Sequence, residues 1–234
     1  MIVYDGPSKI DGKPIICIAT LSSANPKTGV MVQTWIMRAD IEPHLAIKTG
    51  EDQSICGDCQ HRPSNDGSCY VVTFQAPLSV YRAYHRGIYD YRTIDKFAGM
   101  PLRLGSYGDP LAVPLSAWQP LLDITNGRTG YTHQWNNRKV AFDTRWKSLV
   151  MASADNQEQA LIAQATGWRT FRVTDETSPK VKGESVCPAS KEAGHKMQCI
   201  DCLSCSGRTG SRSKGIVINA HGSRANKYHL IASA

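Results

Sequence analysis

The sequence predicts an α/β protein built on a mainly parallel sheet. From residue 100 onward, strand-like and helix-like segments alternate, and the strand-like segments recur about every 21 to 27 residues. This alternation is typical of βα units, in which a helix connects two parallel strands. The chain has 234 residues and a hydrophobic fraction of 41%, which suits one large domain or a domain with a small module attached.

The first 40 residues predict consecutive strands. The segments IVYD, PIICIATL and VMVQTWIMRA are apolar or alternate with a period of two. Cys17 lies inside the second segment, so we expect it to fill the core rather than to bind metal. A helix is predicted from Ala76 to Arg86, because Pro77 suits a first helical turn and Gly87 a C-terminal stop.

Polar residues follow three of the strands in the alternating part. The strands MPLRLGS, GRTGYT and KSLVMAS lead into the loops SYGDP, THQW and SADN. Because the carboxyl ends of parallel strands share one edge of a sheet, we expect Asp109, His133 and Asp155 to converge and bind a polar substrate. Structural roles are the alternatives, with Asp109 shaping a turn and Asp155 capping the next helix.

Four cysteines near the C-terminus form the strongest motif. They are Cys187, Cys199, Cys202 and Cys205, and the last three make a C-x-x-C-x-x-C run on one tight loop. This is the spacing of an iron–sulfur cluster loop, whereas structural zinc usually takes its ligands as two separated pairs. A 4Fe–4S cluster is therefore the predicted cofactor, with zinc as the alternative.

A second cysteine group, Cys56, Cys59 and Cys69, flanks a loop rich in Pro, Ser, Asn and Gly that can fold back on itself. The seven candidate ligands divide into a three-cysteine site with one open iron position and a closed four-cysteine site. One or two clusters are thus expected.

Two alternatives stay open for these loops. One zinc ribbon could combine Cys56 and Cys59 with Cys202 and Cys205. The second is coordination by His61, which follows Cys59 closely. We expect this side chain to be solvated rather than to act as a ligand.

Charge and hydropathy limit the partners. No apolar run approaches the roughly 20 residues of a membrane span, and the N-terminus lacks the pattern of a signal peptide. We therefore expect a cytoplasmic protein without a membrane partner, in which eight cysteines indicate metal rather than disulfides. The formal net charge of +7 allows nucleic-acid binding, although two thiolate-ligated clusters would offset about three of those charges.

Several motifs together resemble a family of uncharacterised phage and prophage proteins, the gene-product-88-like group. They lie in the same order over about 170 residues and are the cysteine block ending at Tyr70, RLGSYGDP, GYTHQW, MASADN, GWRTFRV, the C-x-x-C-x-x-C run and INAHGS. The resemblance implies a phage-encoded protein of the host cytoplasm.

A more distant resemblance is to radical-SAM enzymes that carry auxiliary iron–sulfur clusters. The shared plan is an early three-cysteine site ending in an aromatic residue, a partial (β/α) barrel and a late cysteine-rich block. It implies a barrel-like sheet and cluster-dependent chemistry. The first motif departs from that family's C-x-x-x-C-x-x-C, so SAM binding is not carried over.

These observations lead to one domain prediction and two function hypotheses. Residues 1–175 are predicted to form an α/β partial-barrel domain with the first cysteine site, and residues 176–234 a cysteine-rich module that packs back on the sheet. The first hypothesis is a phage iron–sulfur protein with redox or radical-SAM-like chemistry and an unknown substrate or redox partner. The second is a zinc-stabilised nucleic-acid-binding protein, in which Tyr131 or Trp135 stacks on bases.

Overall fold

One mixed sheet of nine strands forms the centre of the computed structural model, which describes residues 1–21, 25–175, 180–194, 197–208, 214–228 and 231. Its order is β1-β2-β3-β4-β5-β6-β7-β9-β8. The strands are β1 (Ile2–Pro7), β2 (Pro14–Thr20), β3 (Val32–Arg38), β4 (Leu102–Tyr107), β5 (Arg128–Thr132), β6 (Met151–Ala154), β7 (Thr170–Thr174), β8 (Glu184–Val186) and β9 (Gly215–Asn219).

The sheet is mostly parallel. β1 and β2 pair antiparallel, as do β2 and β3, whereas every pairing from β3 to β8 is parallel. The predicted α/β class and mainly parallel sheet are therefore confirmed. The sheet is not closed into a barrel, because β1 and β8 are free edges within the described residues.

Seven helices lie in the described connections. They are α1 (Pro43–Thr49), α2 (Gln53–Cys56), α3 (Ala76–His85), α4 (Leu115–Ile124), α5 (Trp146–Leu149), α6 (Gln157–Ala165) and α7 (Cys199–Cys202). From β3 to β7 the strands lie side by side in chain order, and each connection contains at least one helix. The carboxyl ends of these strands consequently lie along one edge of the sheet.

The predicted helix near residue 76 illustrates the local rules. It begins at Ala76 with Pro77 in its first turn, where a missing N–H costs nothing. It ends at His85, and Gly87 follows in the left-handed region with φ 70°.

The main core includes the fully buried Cys17, so its predicted structural role is confirmed.

The C-terminal segment joins the same sheet through β8 and β9. The Arg172 guanidinium on β7 donates to both carboxylate oxygens of Glu184 at 2.7 and 2.8 Å, and both side chains are buried. Two parallel charge-assisted hydrogen bonds of this kind fix the orientation of the two side chains as well as their position.

Residues 176–179, in the connection from β7 to β8, lie outside the described residues. No described helix is long and apolar enough to cross a membrane.

We predict that Glu184→Ala lowers the free energy of unfolding by about 3 to 5 kcal/mol, because it removes the carboxylate that accepts two buried charge-assisted hydrogen bonds from Arg172. Urea denaturation of wild type and variant prepared in parallel measures the change. Glu158→Ala, on the exposed side of α6, is the control and should change the free energy by less than about 1 kcal/mol. A loss below 1 kcal/mol in Glu184→Ala would show that this ion pair does not anchor the C-terminal strands.

Candidate functional site

One face of the parallel sheet lines a cavity of about 250 Å³. Alternate side chains of neighbouring strands reach it, because successive residues of a strand point to opposite faces. Its strand-borne walls include Arg103, Tyr107, Tyr131, Ser153, Phe171 and Val173. All seven cysteines predicted as metal ligands also line this cavity, so both groups reach one space.

The first cysteine group lies on a loop that folds back on itself. The N–H of Cys69 donates to the His61 carbonyl at 2.8 Å, and the N–H of Cys59 donates to the Cys56 carbonyl at 3.3 Å. Gly67 permits the reversal, because a Cβ there would lie 2.3 Å from the His61 carbonyl carbon. Burial raises the pKa of Cys69 to about 11, and Cys59 adds to the shift.

The second cysteine group covers the same face of the sheet. Cys187 donates from its N–H to the Val217 carbonyl on β9 at 2.9 Å, and Cys205 accepts from the Gly130 N–H on β5 at 3.0 Å. Cys199 and Cys202 lie at the two ends of α7. Burial, opposed by the Tyr131 hydroxyl and assisted by the thiols of the other three cysteines, raises the pKa of Cys205 to about 12.

The structure therefore groups the seven cysteines as three and four. The thiols that raise the pKa of Cys56 belong to Cys59 and Cys69, after burial as the main cause. All eight cysteines of the chain are free thiols. In the described part of the chain, no three cysteine sulfurs all lie within 4.8 Å of one another, so the alternative ribbon of Cys56, Cys59, Cys202 and Cys205 is not assembled.

Asp109, His133 and Asp155 do come together at the carboxyl ends of β4, β5 and β6. Asp109 accepts from the N–H of His133 at 2.8 Å, and His133 Nε2 lies 3.2 Å from Asp155 Oδ1. The predicted convergence of these residues is thus present in the structure. Their binding of a substrate stays a prediction.

Asp109 joins two of these loops. Its carboxylate accepts from the Leu111 N–H at 2.9 Å and from the Thr132 hydroxyl at 2.8 Å, in addition to His133. It therefore also has the turn-forming role that the sequence offered as an alternative. Burial raises the pKa of Asp109, and these hydrogen bonds oppose that effect.

Asp155 is not the cap of α6. Asn156 has that role, since its side-chain oxygen accepts from the Gln159 N–H at 2.9 Å. The Asp155 carboxylate contacts His61 and His133 instead. Burial disfavours its charge, but His133 and then His61 outweigh burial and hold the pKa of Asp155 well below its usual range.

The expectation that His61 is solvated was wrong. The ring is buried, with Nδ1 2.7 Å from Ser68 Oγ and Nε2 3.0 Å from Asp155 Oδ1. A histidine in a polar loop gives no periodic signal, so its burial follows only from the way this loop packs on β6. Burial lowers the pKa of His133, but Cys59 and Asp155 outweigh burial and raise it well above the usual range.

Sequence reasoning missed Arg103. This β4 side chain is 8% exposed and faces the cavity, where its guanidinium donates to the Tyr70 hydroxyl at 3.4 Å and lies 5.8 Å from the Tyr131 ring centre. It forms no ion pair with a carboxylate of the described residues. Burial lowers the pKa of Arg103. The Tyr70 and Tyr131 hydroxyls, and then the thiols of Cys199 and Cys205, outweigh burial and keep that pKa high.

The two aromatic residues proposed for base stacking differ in accessibility, because Tyr131 lines the cavity and Trp135 does not. Trp135 is buried and donates its indole N–H to the Ser153 carbonyl at 2.9 Å. Tyr131 packs against Phe171 with ring centres 4.2 Å apart. Stacking of a base on Trp135 is therefore incompatible with this structure.

No protein-family model, curated protein or solved structure compared with the chain matches it. The residues of the site itself therefore supply the grounds for a function.

We predict that Asp109→Ala lowers the free energy of unfolding by about 2 to 3 kcal/mol, because three buried donors lose their acceptor. Chemical denaturation compares it with Asp123→Ala. Asp123 accepts one exposed hydrogen bond from Gln119, so its removal should cost less than about 0.5 kcal/mol. Equal losses in the two variants would refute the bridging role of Asp109.

Proposed function

We propose that the chain is an iron–sulfur protein that uses its clusters in redox or cluster-dependent chemistry on a molecule in the cavity. One 4Fe–4S cluster would be held by Cys187, Cys199, Cys202 and Cys205. A second would be held by the three-cysteine group, Cys56, Cys59 and Cys69. The observation that carries the proposal is that both groups reach one cavity and divide as three and four.

The spacing of the sulfurs differs from that of a preformed zinc site. A single tetrahedral zinc ion with Zn–S bonds of about 2.3 Å brings its sulfurs to about 3.8 Å from one another. No three cysteine sulfurs of the described residues all lie within 4.8 Å of one another. A cubane binds each thiolate through a different iron at its corners, and therefore separates them more widely.

The charges around the four-cysteine group also fit an anion. A cubane with four thiolate ligands carries a net charge of about −2. Arg103 lies buried near Cys199 and Cys205, and Lys27 lowers the pKa of Cys187 and Cys199 against the larger effect of burial. These two cations would offset the charge of a bound cluster in a site shielded from water.

The topology supports a radical-SAM-like arrangement as the finer form of the proposal. Six parallel strands, β3, β4, β5, β6, β7 and β9, follow one another in space in chain order, as in a partial barrel. The three-cysteine group lies in the connection from the first of them to the second. Three thiolates leave one iron of a cubane without a cysteine, and that position would face the cavity.

A bound cluster supplies one-electron transfer. The chain's own residues line the space around it. Tyr131 and Phe171 form one aromatic wall of the cavity, and Tyr70 stacks on His221 with ring centres 4.9 Å apart to form another. Together with the resemblance to phage proteins, this leads us to propose a redox or cluster-dependent role in the cytoplasm of an infected host.

We predict that Cys202→Ala and Cys56→Ala each remove about half of the iron from anaerobically reconstituted protein, because each disables one site. Cys202→Ala should also lower the melting temperature, since binding energy at a metal site is folding energy. Iron and sulfide analysis with parallel melting curves measures both effects.

Cys17→Ala is the matched control, because Cys17 is fully buried in the core away from the cavity. It should keep all of the iron. Full iron content in Cys202→Ala and Cys56→Ala, or loss of iron in Cys17→Ala, would refute the ligand assignment.

A further inference from the structure

Three side chains from three separate segments meet beside the cavity. His61 comes from the loop between Cys59 and Cys69, His133 follows β5, and Asp155 follows β6. Asp155 Oδ1 lies 3.0 Å from His61 Nε2 and 3.2 Å from His133 Nε2. In the described part of the chain, this is the one set of three His, Cys, Asp or Glu side chains whose ligand atoms all lie within 4.8 Å.

We propose that His61, His133 and Asp155 form a binding site for a single divalent first-row transition metal. Two histidines and one carboxylate are the donor set that mononuclear iron(II) and related ions take in proteins. This site is distinct from the cysteine groups and does not depend on them, because its ligands are nitrogen and oxygen atoms.

The observed distances match coordination by one ion. With metal–ligand bonds of about 2.1 Å, neighbouring ligand atoms lie about 3.0 Å apart in an octahedral site and about 3.4 Å apart in a tetrahedral one. The two oxygen–nitrogen separations, 3.0 and 3.2 Å, lie in this range, and the two histidines offer nitrogens within 4.8 Å of each other. An ion can therefore replace the two shared hydrogen bonds with little movement of the ligands.

Neighbouring groups hold the His61 ring and the backbone of Asp155 in place. Ser68 Oγ lies 2.7 Å from His61 Nδ1, which fixes the ring and directs Nε2 to Asp155. The N–H of Asp155 donates to Gln159 Oε1 at 2.9 Å, and the Tyr228 hydroxyl donates to the Asp155 carbonyl at 2.8 Å. Supporting contacts of this kind around a histidine or carboxylate ligand are typical of metal sites.

The cavity gives access to the ion. His61 and His133 line the cavity, whereas Asp155 lies behind them and is buried. Three protein ligands leave coordination positions open, and these positions would face a small polar molecule in the cavity. Cys59 lies two residues before His61 and lines the same cavity, so this ion and the three-cysteine group would lie close together.

The competing explanation is a hydrogen-bonded brace, in which both histidines donate to Asp155 and no metal binds. Manganese(II) separates the two explanations, because it prefers oxygen and nitrogen ligands and competes poorly for thiolates. Electron paramagnetic resonance follows the loss of the free manganese signal on titration into the full-length protein. Its pulsed form detects histidine nitrogen coupled to the bound ion.

We predict one manganese per chain, with coupling to histidine nitrogen and a higher melting temperature for the loaded protein. His61→Gln and Asp155→Asn should each weaken binding more than about 100-fold, and Ser68→Ala about 10-fold or more through the orientation of His61. His85→Ala, which changes an exposed histidine outside the cavity lining, should bind manganese as wild type does.

Absence of saturable manganese binding by wild-type protein would overturn the proposal, whatever the variants do. Binding that survives both His61→Gln and Asp155→Asn, or that shows no nitrogen coupling, would overturn it as well. The titration uses protein prepared without iron and sulfide, in which the cysteines hold no cluster. Its outcome is therefore independent of the proposed iron–sulfur sites.

Discussion

The placement of seven thiols around one cavity is the constraint on which the rest of the structure depends. Burial raises the pKa values of Cys56, Cys69, Cys187, Cys199 and Cys205, and thiols of the same group raise most of them further. A ligand thiolate has lost its proton, so such sites form only with compensating positive charge. Metal ions are the strongest source of that charge, and the buried guanidinium of Arg103 adds to it.

The parallel sheet makes this cavity by simple geometry. Side chains at alternate positions of β4 to β7 face it, and loops at the carboxyl ends of β4, β5 and β6 bring Asp109, His133 and Asp155 to one place. The two cysteine groups enclose the same space from the β3–β4 connection and from the C-terminal segment. The β9 pairing and the Arg172–Glu184 ion pair attach that segment to the sheet.

Much of this was predictable because it rests on local rules. The alternation of strands and helices indicated the parallel part, and the rule that carboxyl ends share an edge brought Asp109, His133 and Asp155 together. The cysteine spacings indicated two groups. Burial of Cys17 followed from its place in an apolar strand.

Other features depend on packing that no local pattern encodes. His61 is buried because its loop reverses at Gly67 and packs on Asp155, and neither contact has a sequence period. Arg103 resembles an ordinary strand residue until the sheet places it opposite Cys199 and Cys205. The antiparallel pairing of β1 and β2 and the open edge at β8 likewise follow from long-range pairing rather than from composition.

The most direct test of the central claim is the iron, sulfide and zinc content of wild-type protein purified without oxygen, together with its visible absorption spectrum. Two clusters predict about eight irons and eight sulfides per chain, with a broad visible band that bleaches on reduction. Stoichiometric zinc without sulfide or colour would contradict the account, because it would make the metal at these cysteines structural rather than redox-active.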